Sequence, residues 1–348
     1  MLPPLTEQSV TTAGVIAVGN LEAEINGQAS RALGKALTVG ERADLIELIA
    51  LRAQVLGRVS DAELAATLAD QLVAQAPSDA QSILCRARMR AYFHLFALAL
   101  TDLDTAAALG GDRIDLDAER AAIYQALGRY DEALLIRRVA VHEHVEFSEL
   151  AALAAIYGER GEMDDAERWF RVAMHCYRST SPFPPAMLEF QLGKFWMEHD
   201  DLSRARIWLE AATNRLPAYV PARGHLAEVE AGLGDSAAAI ARLRPLTLAS
   251  DDPDYATQLA RILADVGEVE EAGTWREKAR ARYDELLSRH PEAFADHAAE
   301  FWLTVGDDPE RALRLARQNL SLRRTPRARA LVRESRNRRA ATRHSFAL

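Results

Sequence analysis

The sequence has almost no lysine: three lysines stand against 39 arginines. Arginine is therefore the chain's default basic residue, and an arginine cluster carries less meaning here than it would elsewhere. Cysteine is scarce too. Cys85 and Cys176 lie far apart and match no CxxC or zinc spacing, which excludes a disulfide framework and leaves both as small buried or half-buried residues. No stretch reaches the roughly 18 apolar residues of a membrane span. The start, "MLPPLTEQSVTTAGVIAVG", lacks the basic opening and long apolar centre of a secretory signal, so the expected compartment is the cytoplasm. Glycine-rich phosphate loops, HExxH and GxSxG are also missing, so neither an enzymatic role nor a cofactor is expected.

What is present is a 348-residue chain, 49% hydrophobic, whose apolar content is mostly alanine and leucine. Both are strong helix formers, and runs with period-two alternation are missing, so the expected fold class is all-α. Charge is unevenly spread. Residues 310–348 hold twelve arginines against Glu310 and Glu334, a formal +10, so a chain with net charge −9 carries −19 on its first 309 residues.

Punctuation follows a period. In "LAAIYGERGEMDDAERWFRVA", Leu153, Ala154, Tyr157, Gly161, Ala166, Phe170 and Ala173 define a set of offsets. These recur at Leu192, Gly193, Trp196, Asp200, Ala205, Leu209 and Ala212, and again in units containing Gly234 and Gly267. An earlier unit carries Tyr124, Gly128 and Ala133, and a later one Trp302, Gly306 and Ala312. Weaker units surround Gly57 with Ala62, and Leu84 with Ala97. Such a period of about 34 residues describes two amphipathic helices with a glycine in the turn between them. Small residues sit where the helices cross most closely. Pro217 and Pro291 mark joints between pairs. One pair cannot bury its apolar face alone, so pairs stack.

With that pattern the chain resembles the tetratricopeptide repeat proteins, over residues 113–325 well and 42–112 loosely. The resemblance implies a right-handed α-solenoid of seven or eight helix pairs over residues 42–325. An N-terminal segment (1–41) would precede it and an Arg-rich capping helix and tail (326–348) would follow. Several positions depart from the pattern: Glu230 replaces an aromatic residue, Arg137 and Arg276 replace apolar ones, and Asp200 replaces glycine. Two stretches break the period. "STSPFPPAM" inserts about five residues as an ordered corner, and "EKARARYDELLSRHPEAF" lengthens one second helix by about a turn.

The resemblance also implies that first helices line a concave groove that binds peptide segments. Its expected lining is Met187, Phe190, Gln191, Lys194 and Met197, then His225 and Glu228, then Gln258 and Arg261, then Asp296, His297 and Glu300. Polar pairs at i and i+3 share one helix face. Lys194 and Arg261 would hold carboxylates or carbonyls, and Phe190, Met187 and Met197 an apolar anchor. The partner would be a protein or peptide, acidic where it meets the cations. Two other readings stay open. The polar pairs satisfy one another between repeats, or His225/Glu228 and His297/Glu300 ligate a divalent metal, against which the intervening Arg261 counts. His142 and His144 read as a surface cluster. In "RRTPRARALVRESRNRRAATRHSFAL" the only aromatic is Phe346, which disfavours a nucleic-acid arm; the arginines read as a cap with a solvated tail, with contact to an acidic partner surface as the alternative. The charge split leaves self-association open.

Overall fold

A computed structural model describes residues 10–34 and 37–345; residues 1–9 of the N-terminal segment and Phe346 lie outside them. Among the described residues there are eighteen helices and no strand. Helix α1 spans Gly14–Gly34. Eight helical hairpins follow: α2 (Val39–Leu56) with α3 (Val59–Gln75), α4 (Ala80–Tyr92) with α5 (Phe96–Ala108), α6 (Arg113–Ala126) with α7 (Tyr130–Glu143), and α8 (Phe147–Glu159) with α9 (Met163–Cys176). The second half pairs α10 (Phe183–Glu198) with α11 (Leu202–Arg215), α12 (Val220–Gly232) with α13 (Ser236–Ala249), α14 (Pro253–Asp265) with α15 (Val269–Arg289), and α16 (Pro291–Leu303) with α17 (Pro309–Leu322). Helix α18 (Pro326–Ser345) closes the stack. No described helix is long and apolar enough to cross a membrane.

Local chemistry sets these boundaries. Asp201, Asp235 and Asp308 each accept a hydrogen bond from the backbone N–H three residues on, at 2.9–3.0 Å, capping α11, α13 and α17. Pro253, Pro291, Pro309 and Pro326 open their helices, where a missing N–H costs nothing. Gly161 turns with φ +77°, and Asp200 takes the same left-handed turn at φ +58° in the next pair, so the aspartate that replaces glycine keeps its geometry.

The repeat positions form the core. Leu153, Ala154, Tyr157, Ala166, Phe170 and Ala173 are all buried. At Gly193 a Cβ would lie 2.5 Å from Leu209 Cγ, which is why the smallest residue stands at that crossing. Three details differ from the sequence reading. In the α4/α5 pair the turn comes later, at His94 (φ +59°), so the buried alanine is Ala99 and not Ala97, which is exposed. Helix α15 exceeds the 14 residues of α13 by seven, two turns instead of one. Much of "STSPFPPAM" is helical, because α10 begins at Phe183 and takes its prolines into the first turn. Cys85 is buried in the α2–α4 core, and burial pushes its thiol up to about 12, so it is inert at neutral pH.

The superhelix closes on itself after five to six pairs. Asp251, before α14, accepts hydrogen bonds from the N–H groups of Val59 (2.6 Å) and Ser60 (3.0 Å). It thereby caps α3, whose own N-cap residue Arg58 makes no side-chain cap. His290 stacks on Phe93 at 4.2 Å and bonds Glu63 at 2.8 Å. Arg323 Nε and the Arg324 N–H donate to the carbonyls of Ala126 and Leu127. Gly128 meets the backbone of Arg324 so closely that a Cβ would lie 2.8 Å from it. The turns of the first, second and third hairpins thus rest on joints one superhelical turn later, at separations of 192, 198 and 197 residues.

Candidate functional site

Closure turns the concave face into a lumen. A space of about 1250 Å³ lies between α6, α8 and α10 on one side and α16, the α17–α18 joint and α18 on the other. The α6/α8 wall is built of small residues, among them Ala122, Ala151, Ala155 and Gly158. The facing wall comes from α18, with Arg327, Arg329 and Arg333 within two turns of the helix. Six cationic side chains and three carboxylates line the space, within a chain whose net charge is −9.

The charges differ in how they are engaged. Arg323 pairs with Asp296 at 3.0 Å and Arg327 with Glu300 at 2.7 Å. The guanidinium groups of Arg329 and Arg333 are exposed and make no ion pair or hydrogen bond among the described residues. Lys194 likewise has no ion pair; its ammonium lies 5.9 Å from the Phe190 ring. It is half-buried but ringed by protein, and burial, then the positive charges of Arg327 and Arg323, hold its pKa below the ordinary lysine range. Asn319 Oδ1, on the same lining, is buried without a hydrogen-bond partner. The space therefore offers unpaired cations and amides opposite a smooth wall, and an anion placed there would relieve Lys194.

The expected lining divides in two. Met187, Gln191 and Lys194 do face this cavity. Phe190 does not; its ring is 8% exposed and packs edge-on against Tyr219 and His225, 5.3 and 5.1 Å away, so it belongs to the contact between repeats. Met197 is partly buried against the same core. Farther along the concave face, Glu228 faces Arg261 at 3.7 Å, and Gln258 is buried and donates to Asp254 at 3.0 Å. His297 and Glu300 lie on α16. Burial opposes a charge on His297, but Asp296, Asp254 and Glu300 outweigh it and raise its pKa. Burial and Lys194 push His225 down to about 3, so it is neutral at physiological pH.

Both carboxylates of the two His-x-x-Glu pairs thus face a guanidinium, and among the described residues no group of three or more His, Cys, Asp or Glu side chains could hold a metal ion. The metal reading gains nothing from this geometry, while mutual satisfaction between repeats describes Glu228 and Glu300. Sequence reasoning missed α18 as a wall of the site. Its signal was the i, i+4 spacing of Arg329 and Arg333, but only the superhelical pitch carries that face to α8.

No protein-family model matches the chain, and no curated protein does. Among solved structures, human IFIT1 with PPP-AAAA matches with a TM-score of 0.55 at 15% identity, over 87% of this chain and 77% of that one. The Cut9–Hcn1 assembly of APC/C matches at 0.48 and 14% identity, over 84% of this chain and 55% of that one, so the chain spans about half its length. A tetratricopeptide repeat protein from Parabacteroides merdae matches at 0.43 and 14% identity, over 74% and 98%. At such identities the likeness is one of fold alone. The class defined is an α-solenoid of stacked helix pairs of the tetratricopeptide type. That fold gives no ground for excluding nucleic acid, since IFIT1 was solved with PPP-AAAA.

Proposed function

We propose that the chain is a non-catalytic protein-interaction scaffold that holds a segment of a protein or peptide partner in the lumen. The observation that supports this most is the pairing of walls: unpaired Arg329 and Arg333 on α18 opposite Ala151, Ala155 and Gly158 on α8, with unpaired Lys194 on the neighbouring α10. Small side chains let a partner's main chain come close, and Gln125, Gln191 and Asn319 suit its carbonyl and amide groups. The three free cations suit carboxylates on the same segment. Met187 supplies an adaptable apolar contact. The stretch from His225 and Glu228 through Gln258 and Arg261 to His297 and Glu300 continues the concave face beyond the cavity.

A phosphate-bearing nucleic-acid end is a second reading, favoured by the free arginines and by the fold shared with IFIT1. The lining holds only two rings on which a base could stack, Phe147 and the His199 imidazole. Nuclease treatment before capture separates the two readings.

Filling the lumen tests the proposal. Ala155→Trp projects an indole into the cavity without displacing buried atoms. Its expected effect is loss of captured partners with an unchanged melting temperature; undiminished capture by a folded variant would sink the lumen as the binding site.

A further inference from the structure

Arg137 stands where the repeat pattern puts an apolar residue, yet its side chain is buried, with 8% exposure. It borders a second, smaller cavity of about 240 Å³, between the start of α6, the last turns of α7 and the start of α8, with no lining residue in common with the lumen. The wall is apolar. Ile114, Leu135 and Val139 contribute to it and are themselves 41%, 67% and 43% exposed, an unusual density of uncovered large side chains.

Two buried polar groups face one another there without meeting. The Arg137 guanidinium makes one hydrogen bond, from Nη2 to the Ala118 carbonyl at 2.9 Å, and its Nε is buried with no partner. Glu149, 9% exposed, accepts a hydrogen bond from the Ser148 hydroxyl, and no ion pair joins it to Arg137. A buried guanidinium lacking a direct counterion costs folding free energy that an apolar residue in the same slot would not.

We infer that this pocket binds an apolar side chain presented, together with its own peptide group, by a segment of a partner protein. The peptide carbonyl would accept from Arg137 and the peptide N–H would donate to Glu149, meeting the unused capacity of both. The side chain would cover Leu135 and Val139. A free carboxylate fits less well, because it would gain Arg137 while meeting Glu149 as a like charge. Arg113, bonded to Glu143 at 2.6 Å, closes the mouth with polar groups, as the rim of a docking site requires.

The test is an NMR titration of the full-length protein with N-acetyl-leucine N-methylamide, read at the Arg137 Nε–H and the Leu135 and Val139 methyl groups. Saturable shifts at all three are expected. Binding should be about tenfold weaker for the glycine analogue, which lacks the side chain, and for N-acetyl-leucinate. Tighter binding of the carboxylate would overturn the assignment of a peptide group, and absence of saturable shifts would overturn the site. Arg137→Leu, which installs the apolar residue usual in the slot, is expected to raise the melting temperature and abolish the shifts. Leu135→Ser lies on the surface and leaves the fold intact; it should weaken binding about tenfold. Wild-type affinity in either variant contradicts the inference.

Discussion

Replacing Glu189 by alanine lowers the stability of the protein by about 3–5 kcal/mol, the cost of leaving one member of a buried ion pair alone. Glu189 receives two bonds from Arg215 Nε, at 3.1 and 3.0 Å, and one from Nη2 at 2.6 Å, and both side chains are almost fully buried, at 3% and 7% exposure. Burial outweighs the attraction of Arg215 and raises the Glu189 pKa. The sign matters. A carboxyl whose folded pKa lies above its unfolded one binds protons more readily in the native state, so its titration adds stability as pH falls through that window. The pair is therefore no net gift to stability; its breakage is what costs. Glu189→Met with Arg215→Met should restore most of the loss in urea unfolding. The damage also spreads, because Arg215 reaches Thr11 and its carbonyl lies against Gly14, where the N-terminal segment docks.

Arg329→Glu with Arg333→Glu reduces partner capture about 100-fold or more, while helicity and melting temperature stay at wild-type values. The two guanidinium groups are exposed and unpaired, so their loss breaks no internal contact, and glutamate is as good a helix former as arginine. Within the lumen they face a partner across ringed, partly desolvated space, where reversing two charges costs several kcal/mol of binding. Salt dependence supplies the check: the wild type should lose affinity as ionic strength rises, and the variant should show a flatter response. An unchanged capture profile would move attention from α18 to the polar stretch around Arg261.

The pair geometry was legible because each repeat must solve one local problem. Ala154 with Ala166, and Gly193 with Leu209, record how close two helices come, and that distance is fixed inside a single unit. Even departures obeyed local chemistry: Glu230 in an aromatic slot is held by Arg242 from the partner helix, at 2.9 Å to Nε. The rotation between units is not encoded in any one of them. It alone decides that Phe190 turns into the contact with Tyr219 and His225, that Asp251 caps α3, and that Arg329 faces the α8 wall. The site was legible as residues along helices and not as a cavity, because one of its walls lies more than a hundred residues from the other. Arg137 was visible as an exception to the pattern, but its burial beside Glu149 without contact is a property of three helices together.

The measurement closest to the central claim is photo-crosslinking with a benzoyl-phenylalanine placed either at Gln191, on the lumen wall, or at Leu248, which is 82% exposed on α13 and outside the cavity lining. A lumen-binding scaffold gives partner adducts from position 191, lost in the Ala155→Trp background, and few from position 248. Equal adducts from both positions, or adducts from 248 alone, would show that partners are held elsewhere.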